Sequence, residues 1–365
     1  MEKGKPVQMV MVEPGSLSEQ SQEIRSPEPH EVRVRVLCAG VCGTDLALYS
    51  GQYPVPLPCV MGHEFVGVVE EVGTEVHHRW VGRRVAVEIN ICEDYTQGDG
   101  EACPTCGQLS PGHCEKRTVL GIIQAPGAFA RYMYAPVSNL HVLPDSIDDT
   151  TAVLVEPVAA AIQTFVMCPL DKGHRQRVVV LGAGRLGLLI IAVAAAEGAE
   201  VVAVSRTAER LELARKFGAH HAFQTGPELA SKIRELGQGE LADVVVEVTG
   251  NPKGLNDALQ LVKPRGTICL KTTVGEPSVV DLTKIVVDEI QLSGSRCGPF
   301  AEAIHFLERH PLPLEDWIRA SYPLERLGEA LEEAKLPGKV LVNPWTSTVQ
   351  TWPYEKATPP TDTSE

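Results

Sequence analysis

From Val153 onward, short apolar strands alternate with helical runs: VLVEPVAAAIQTF, RVVVLGAG, RLGLLIIAVAAAEGA, EVVAVSR, AERLELARKFGA, ADVVVEVTG, LNDALQLVK and GTICLKT. This alternation constrains the fold more than any other feature. Strand, helix and strand in succession pack as a βαβ unit, and a series of them builds a parallel sheet covered by helices. The first third has another texture. HEVRVRVLCAG sets Val32, Val34 and Val36 on one face with the period of a half-buried strand. EFVGVVEEVG and VGRRVAVEIN follow, with glycines suited to turns or barrel corners. Beyond about Gly298, FAEAIHFLERH and LERLGEALEEAK have helical periodicity and KVLVNP reads as a short strand. At 365 residues the chain exceeds what one hydrophobic core usually serves, so two domains are expected.

Within this alternation, VVVLGAGRLG carries Gly182, Gly184 and Gly187 as G-x-G-x-x-G between an apolar strand and a helix. That context marks a dinucleotide loop. Gly182 permits the turn, Gly184 lets backbone approach a pyrophosphate, and Gly187 lets helix pack on strand. Arg185 and Leu186 open the helix whose free N–H groups would face the phosphates. The next strand ends in Ser205 and Arg206, where an NAD site usually has a carboxylate. A hydroxyl and a guanidinium suit a 2′-phosphate, with Arg210 one turn further on. NADP is therefore expected to be preferred over NAD. The other reading is that Arg206 stacks on the adenine and NAD also serves.

The net charge of −14 repels phosphate backbones and anionic lipid, so neither nucleic acid nor a membrane surface is an expected partner. MEKGKPVQMVMVEPGS lacks the pattern of a signal peptide, and LGLLIIAVAAA is too short to span a bilayer. A cytoplasmic protein is expected. In a reducing compartment the cluster Cys92, Cys103, Cys106 and Cys114 reads as metal ligands before disulfides, and the other six of ten cysteines follow no regular spacing. Further ligand types stand at Cys42 in GVCGTDL, His63 and Glu64 in MGHEFVG, and Glu156 in LVEPVAA. A catalytic zinc takes three protein ligands and keeps one position open.

Taken in order, AGVCGTD, GHEFVGVVEEVG, the C-x2-C-x7-C lobe, VEP and GAGRLG resemble the zinc-dependent medium-chain alcohol dehydrogenases, in particular their sorbitol, threonine and glucose dehydrogenase branch. The resemblance runs from about Val32 to Pro344. It implies a GroES-like β-barrel catalytic domain over 1–152, with a structural zinc lobe at about 92–114. A Rossmann dinucleotide-binding domain, a doubly wound parallel sheet, would span 153–297. Residues 298–346 would return to the catalytic domain, and 347–365 would form a flexible tail.

Two zinc ions per chain are implied. Cys42, His63 and Glu156 match the catalytic ligands, and Glu64 matches the neighbouring glutamate that ligates directly or through water. Thr44 matches the hydroxyl that takes the substrate proton, and Asp45 the carboxylate that orients the ligand histidine. Thr249 and Gly250 match the nicotinamide-ribose segment, and Ser295 and Arg296 the loop beside the nicotinamide. Lys339 stands where a basic residue often meets the pyrophosphate, with a solvated lysine as the equal alternative. Two positions depart from the family. Ala47 replaces a relay histidine, so the proton path is expected to end in water or ribose hydroxyls. Gly100 stands at the first cysteine of the lobe, so Cys92 must complete the structural zinc, or the site is lost.

The activity implied is hydride transfer between an alcohol, such as a polyol or sugar, or its aldehyde or ketone, and NADP(H), through an alkoxide held on zinc. The partners expected are that small-molecule substrate and further copies of the chain, as a homodimer or homotetramer. The rival outside enzymes is a non-catalytic NADPH-binding sensor or structural protein on the same fold.

Overall fold

The computed structural model describes residues 6–92, 111–171, 173–273 and 276–351. Six parallel strands form one sheet in the spatial order His221–Gln224, Glu200–Ser205, Arg177–Leu181, Ala242–Glu247, Val262–Leu270, Gln291–Gly294. Numbered along the chain, that order is 3-2-1-4-5-6, the doubly wound dinucleotide-binding topology. The central strands are fully buried because helices cover both faces, so VVVL and VVAV read as continuous apolar runs. The order reverses between Arg177–Leu181 and Ala242–Glu247, the point where a doubly wound sheet forms its ligand crevice, at the carboxyl ends of the strands.

The other large sheet has eight strands and is built mainly from the first third of the chain. Glu31–Gly40 is its hub, pairing antiparallel with Glu64–Val72 and Tyr132–Pro136. Val32, Val34 and Val36 are all buried, as their alternation requires. The far C-terminal strands Ile318–Pro323 and Lys339–Asn343 join this sheet, with Leu341 opposite Gly40 and Val342 opposite Ala39. The chain thus crosses to the parallel sheet and comes back. Gln350–Thr351 adds a further edge strand against Ala320 and Ser321, so part of the segment read as a flexible tail is paired backbone. Residues 352–365 lie outside the described residues.

The helix Val155–Met167 connects the two sheets and packs its apolar face into the core shared by both. Pro157 falls in its first turn, where a missing N–H costs no helical bond. Among the described residues no helix is long and apolar enough to cross a membrane.

Candidate active site

Cys42, His63 and Glu64 converge from two places on the eight-stranded sheet. Cys42 caps the short helix Gly43–Tyr49, and His63 and Glu64 stand at the start of the strand Glu64–Val72. Asp45, fully buried, holds the two together. One carboxylate oxygen accepts the backbone N–H of Cys42 at 2.8 Å, and the other accepts that of Gly62 at 3.3 Å. A sulfur, an imidazole nitrogen and a carboxylate oxygen from the trio then lie within 4.8 Å of one another. Ligand atoms on one tetrahedral zinc stand roughly 3.3–3.8 Å apart, so about an ångström of side-chain movement closes this set on a single ion.

The electrostatics favour a cation here. Burial opposes a charge on His63, yet the carboxylate of Asp45 and the thiol of Cys42 outweigh it and hold His63 well above its ordinary pKa. A proton on the ring fills the role a metal would take. Asp45 Oδ1 lies 3.5 Å from His63 Nδ1, an ion-pair approach, and Nδ1 has no hydrogen-bond partner. A ring bound through Nε2 would carry its proton on Nδ1, facing that carboxylate. The donor set and this orphaned buried nitrogen fit zinc.

Glu156, in the first turn of Val155–Met167, is not in the trio. Burial pushes its carboxyl up to about 7, and Glu64 adds to the shift. His63, Lys339 and Lys271 oppose it. Glu156 therefore borders the trio electrostatically without sharing its geometry. Thr44 Oγ1 lies 3.9 Å from Cys42 Sγ, half-buried on the rim.

Across the crevice, the strand Arg177–Leu181 turns at Gly182 into the helix Arg185–Ala196. Gly182 has φ +117°, and a Cβ there would lie 2.7 Å from the Val248 carbonyl oxygen. A Cβ at Gly187 would collide with the carbonyl of Gly182. These two glycines are needed by the protein itself. A Cβ at Gly184 would meet nothing within 4 Å, so that residue leaves space over the helix N-terminus, as a phosphate group requires.

The comparisons with known proteins agree with this geometry. Residues 28–145 match the family model for the alcohol dehydrogenase GroES-like domain, and residues 186–309 that for zinc-binding dehydrogenase. The chain is 30% identical over 350 residues to a sorbitol dehydrogenase of Halalkalibacterium halodurans, covering 90% of this chain and 96% of that one. This protein belongs to the zinc-dependent medium-chain alcohol dehydrogenases. An alcohol dehydrogenase of Escherichia coli CFT073 solved with NADH superposes with a TM-score of 0.83 at 29% identity, over 93% of this chain and all of that one. A zinc-binding dehydrogenase of Sinorhizobium meliloti bound to NADP gives 0.80 at 26% identity, over 94% and 100%. The chain is accordingly a zinc-dependent dehydrogenase that uses a nicotinamide cofactor.

The remaining expected residues of the dehydrogenase lie around the glycine loop and the ends of the parallel strands. Ser205 is buried at its strand end, while Arg206 is exposed beside it. The guanidinium groups of Arg206 and Arg210 have no ion pair or hydrogen bond among the described residues, so both are available to an anion. Leu186 is packed on the core, and Arg185 reaches across the crevice. Its guanidinium donates to the Ala334 carbonyl at 2.7 Å and the Gly338 carbonyl at 3.4 Å, leaving its backbone for the phosphates. Thr249 is pinned by Glu247, whose Oε1 accepts from the Thr249 N–H at 2.9 Å and hydroxyl at 2.6 Å and from the Thr272 hydroxyl at 2.9 Å. Arg296 reaches into the first part of the chain, donating to Asn90 Oδ1 at 3.0 Å and the Gly112 carbonyl at 2.6 Å.

Cys92 and Cys114 are both buried, with sulfurs 3.5 Å apart. That is far beyond a disulfide length of about 2.05 Å. It is close to the roughly 3.8 Å separating two thiolates on one zinc. Cys103 and Cys106 lie outside the described residues.

Lys339 corrects both sequence readings. It is neither solvated nor free for a pyrophosphate. It is buried, it donates to Glu64 Oε2, and it reaches the Val41 carbonyl at 3.2 Å. The strand Lys339–Asn343 enters the eight-stranded sheet next to Glu31–Gly40, which carries the lysine under Gly40 and onto Glu64. Sequence reasoning also missed Glu247 and Lys271. The only local signal for either was a charged residue at the end of an apolar strand.

Proposed function

We propose that this dehydrogenase transfers hydride between an alcohol, of the polyol or sugar type, and the corresponding carbonyl, with NADP(H) preferred. The observation that carries the reading is the Cys42–His63–Glu64 trio beside Glu156, facing the glycine loop of a doubly wound sheet. Bound zinc supplies a Lewis acid that polarises the substrate oxygen. Cys42, His63 and Glu64 would hold it, with Glu156 beside them as a further carboxylate, and Lys339 holds Glu64 in place through an ion pair. Asp45 fixes the Cys42 backbone and the His63 ring. Thr44 accepts the substrate hydroxyl proton. With Ala47 where a relay histidine could stand, that proton leaves through water or cofactor hydroxyls. The unpaired guanidinium groups of Arg206 and Arg210 support recognition of a 2′-phosphate, with the Ser205 hydroxyl beside them. A sorbitol dehydrogenase and a D-arabitol-phosphate dehydrogenase among the relatives support a polyol-type substrate.

The 3.5 Å approach of Cys92 to Cys114 supports a second, structural zinc, completed by Cys103 and Cys106. The free edge strand Gln291–Gly294, with exposed Val279, Leu282, Val286 and Val287 nearby, supports self-association into a homodimer or homotetramer. Clustered thiols suit a cytoplasmic location. A panel of alcohols, polyols and carbonyls assayed with NADP and NAD tests the activity. His63→Ala should abolish turnover yet leave cofactor affinity within about threefold, since the cofactor sheet is separate. Turnover by His63→Ala near the wild-type rate would overturn the assignment.

A further inference from the structure

Lys271 follows the strand Val262–Leu270 at the carboxyl edge of the parallel sheet. Its ammonium is held by three acceptors: the Ala160 carbonyl at 2.8 Å, the Ser295 hydroxyl at 3.0 Å and the Arg296 carbonyl at 3.1 Å. An ammonium has three N–H donors, so all are used. Every acceptor is neutral, and no carboxylate lies within ion-pair distance of Lys271 among the described residues. The structure therefore contains a nearly buried cation with no ion-pair partner. It is fixed between the helix that carries Glu156, one turn beyond that residue, and the Ser295–Arg296 segment. Buried charges are ordinarily paired, so an unpaired one imposes a strong local potential.

Burial pushes Lys271 down to about 8, while the thiols of Cys269, Cys297 and Cys168 and the carboxyl of Glu156 act the other way. The group still carries its charge at neutral pH. It stands where the last strands of a doubly wound sheet meet the nicotinamide half of a dinucleotide. The oxidised nicotinamide ring is positively charged and the reduced ring is neutral. A fixed positive charge at that end disfavours the first and leaves the second untouched.

We propose that Lys271 biases this dehydrogenase toward the reduced cofactor, through a fixed positive charge at the nicotinamide end of the site. It is a positioning residue as well, because it ties the Ser295–Arg296 wall to the helix bearing Glu156. The inference rests on the dinucleotide site described above.

The test is equilibrium binding to the zinc-loaded protein at pH 7. The reduced cofactor is followed by its fluorescence and the oxidised form by competition, for wild type, Lys271→Met and Lys271→Arg. Lys271→Met should bind the oxidised form about tenfold more tightly relative to the reduced form than wild type does, equivalent to roughly 1.4 kcal/mol. Lys271→Arg should keep the wild-type ratio. A merely structural lysine would weaken both forms together and lower the melting temperature without moving the ratio, and that result overturns the proposal. A wild-type protein with equal affinity for the two forms also overturns it, whether or not the variants fold. Binding of neither form by wild type would instead defeat the dinucleotide reading itself.

Discussion

Lys339→Met tests the least expected contact at the active site. Lys339 and Glu64 are 2% and 3% exposed, and they come from strands 275 residues apart in sequence. Methionine keeps most of the apolar stem and removes the ammonium. Glu64 is then a buried carboxylate without its ion-pair partner, facing Glu156, with the His63 ring as the remaining positive group. Removing one partner of a buried pair costs about 3–5 kcal/mol, because the other charge is left uncompensated. Repacking offers little relief, since a Cβ on Gly40 would already lie 2.6 Å from Glu64 Oε2 and 2.8 Å from Lys339 Cε. The full loss should appear in metal-free protein, and a smaller one with zinc, whose charge replaces the ammonium. Urea unfolding followed by tryptophan fluorescence, with and without chelator, measures both. Adding Glu64→Gln removes the stranded charge and should recover about 2 kcal/mol in the double variant. A metal-free cost under about 1 kcal/mol, or strictly additive single effects, would refute the reasoning.

Three further outcomes are expected. In metal-free protein burial holds Glu156 near 7, and against burial Asp45 and Cys42 hold His63 well above 6.5. Both folded pKa values exceed the unfolded ones, so the native state binds more protons and stability falls as pH rises, between about 4.5 and 7 for Glu156 and above about 6.5 for His63. Melting temperatures across this range in chelator should decline, and Glu156→Gln should flatten the lower window; a rise instead would contradict the assignment. Arg206→Ala should weaken NADP by roughly ten- to hundredfold in kcat/KM while leaving NAD nearly unchanged; equal loss for both cofactors would remove the 2′-phosphate role. Elemental analysis should give two zinc ions per chain, falling to one in Cys114→Ser; a ratio of one in wild type that Cys114→Ser leaves unchanged would show an empty lobe.

The sequence alone determined the two-texture fold. Period-two valines at 32, 34 and 36 and uninterrupted apolar strands such as VVVL are local signals, set by which faces of a strand must leave water. The glycine loop was legible for the same reason, because Gly182 and Gly187 answer steric demands of one turn and one helix. The ligand types Cys42, His63 and Glu64 were legible too, by chemistry and spacing. The tertiary structure decided which groups meet across long sequence separations. It grouped Glu64 with Cys42 and His63 and set Glu156 beside them. It brought Lys339 under Gly40 to pair with Glu64, and it turned the Arg185 and Arg296 side chains into ties across the crevice. Lys271 ends an apolar strand and reads locally as a solvated lysine, but the sheet edge and the connecting helix enclose it. A charged residue's role depends on the dielectric and the partners around it, and those are supplied by distant segments that only the folded chain assembles.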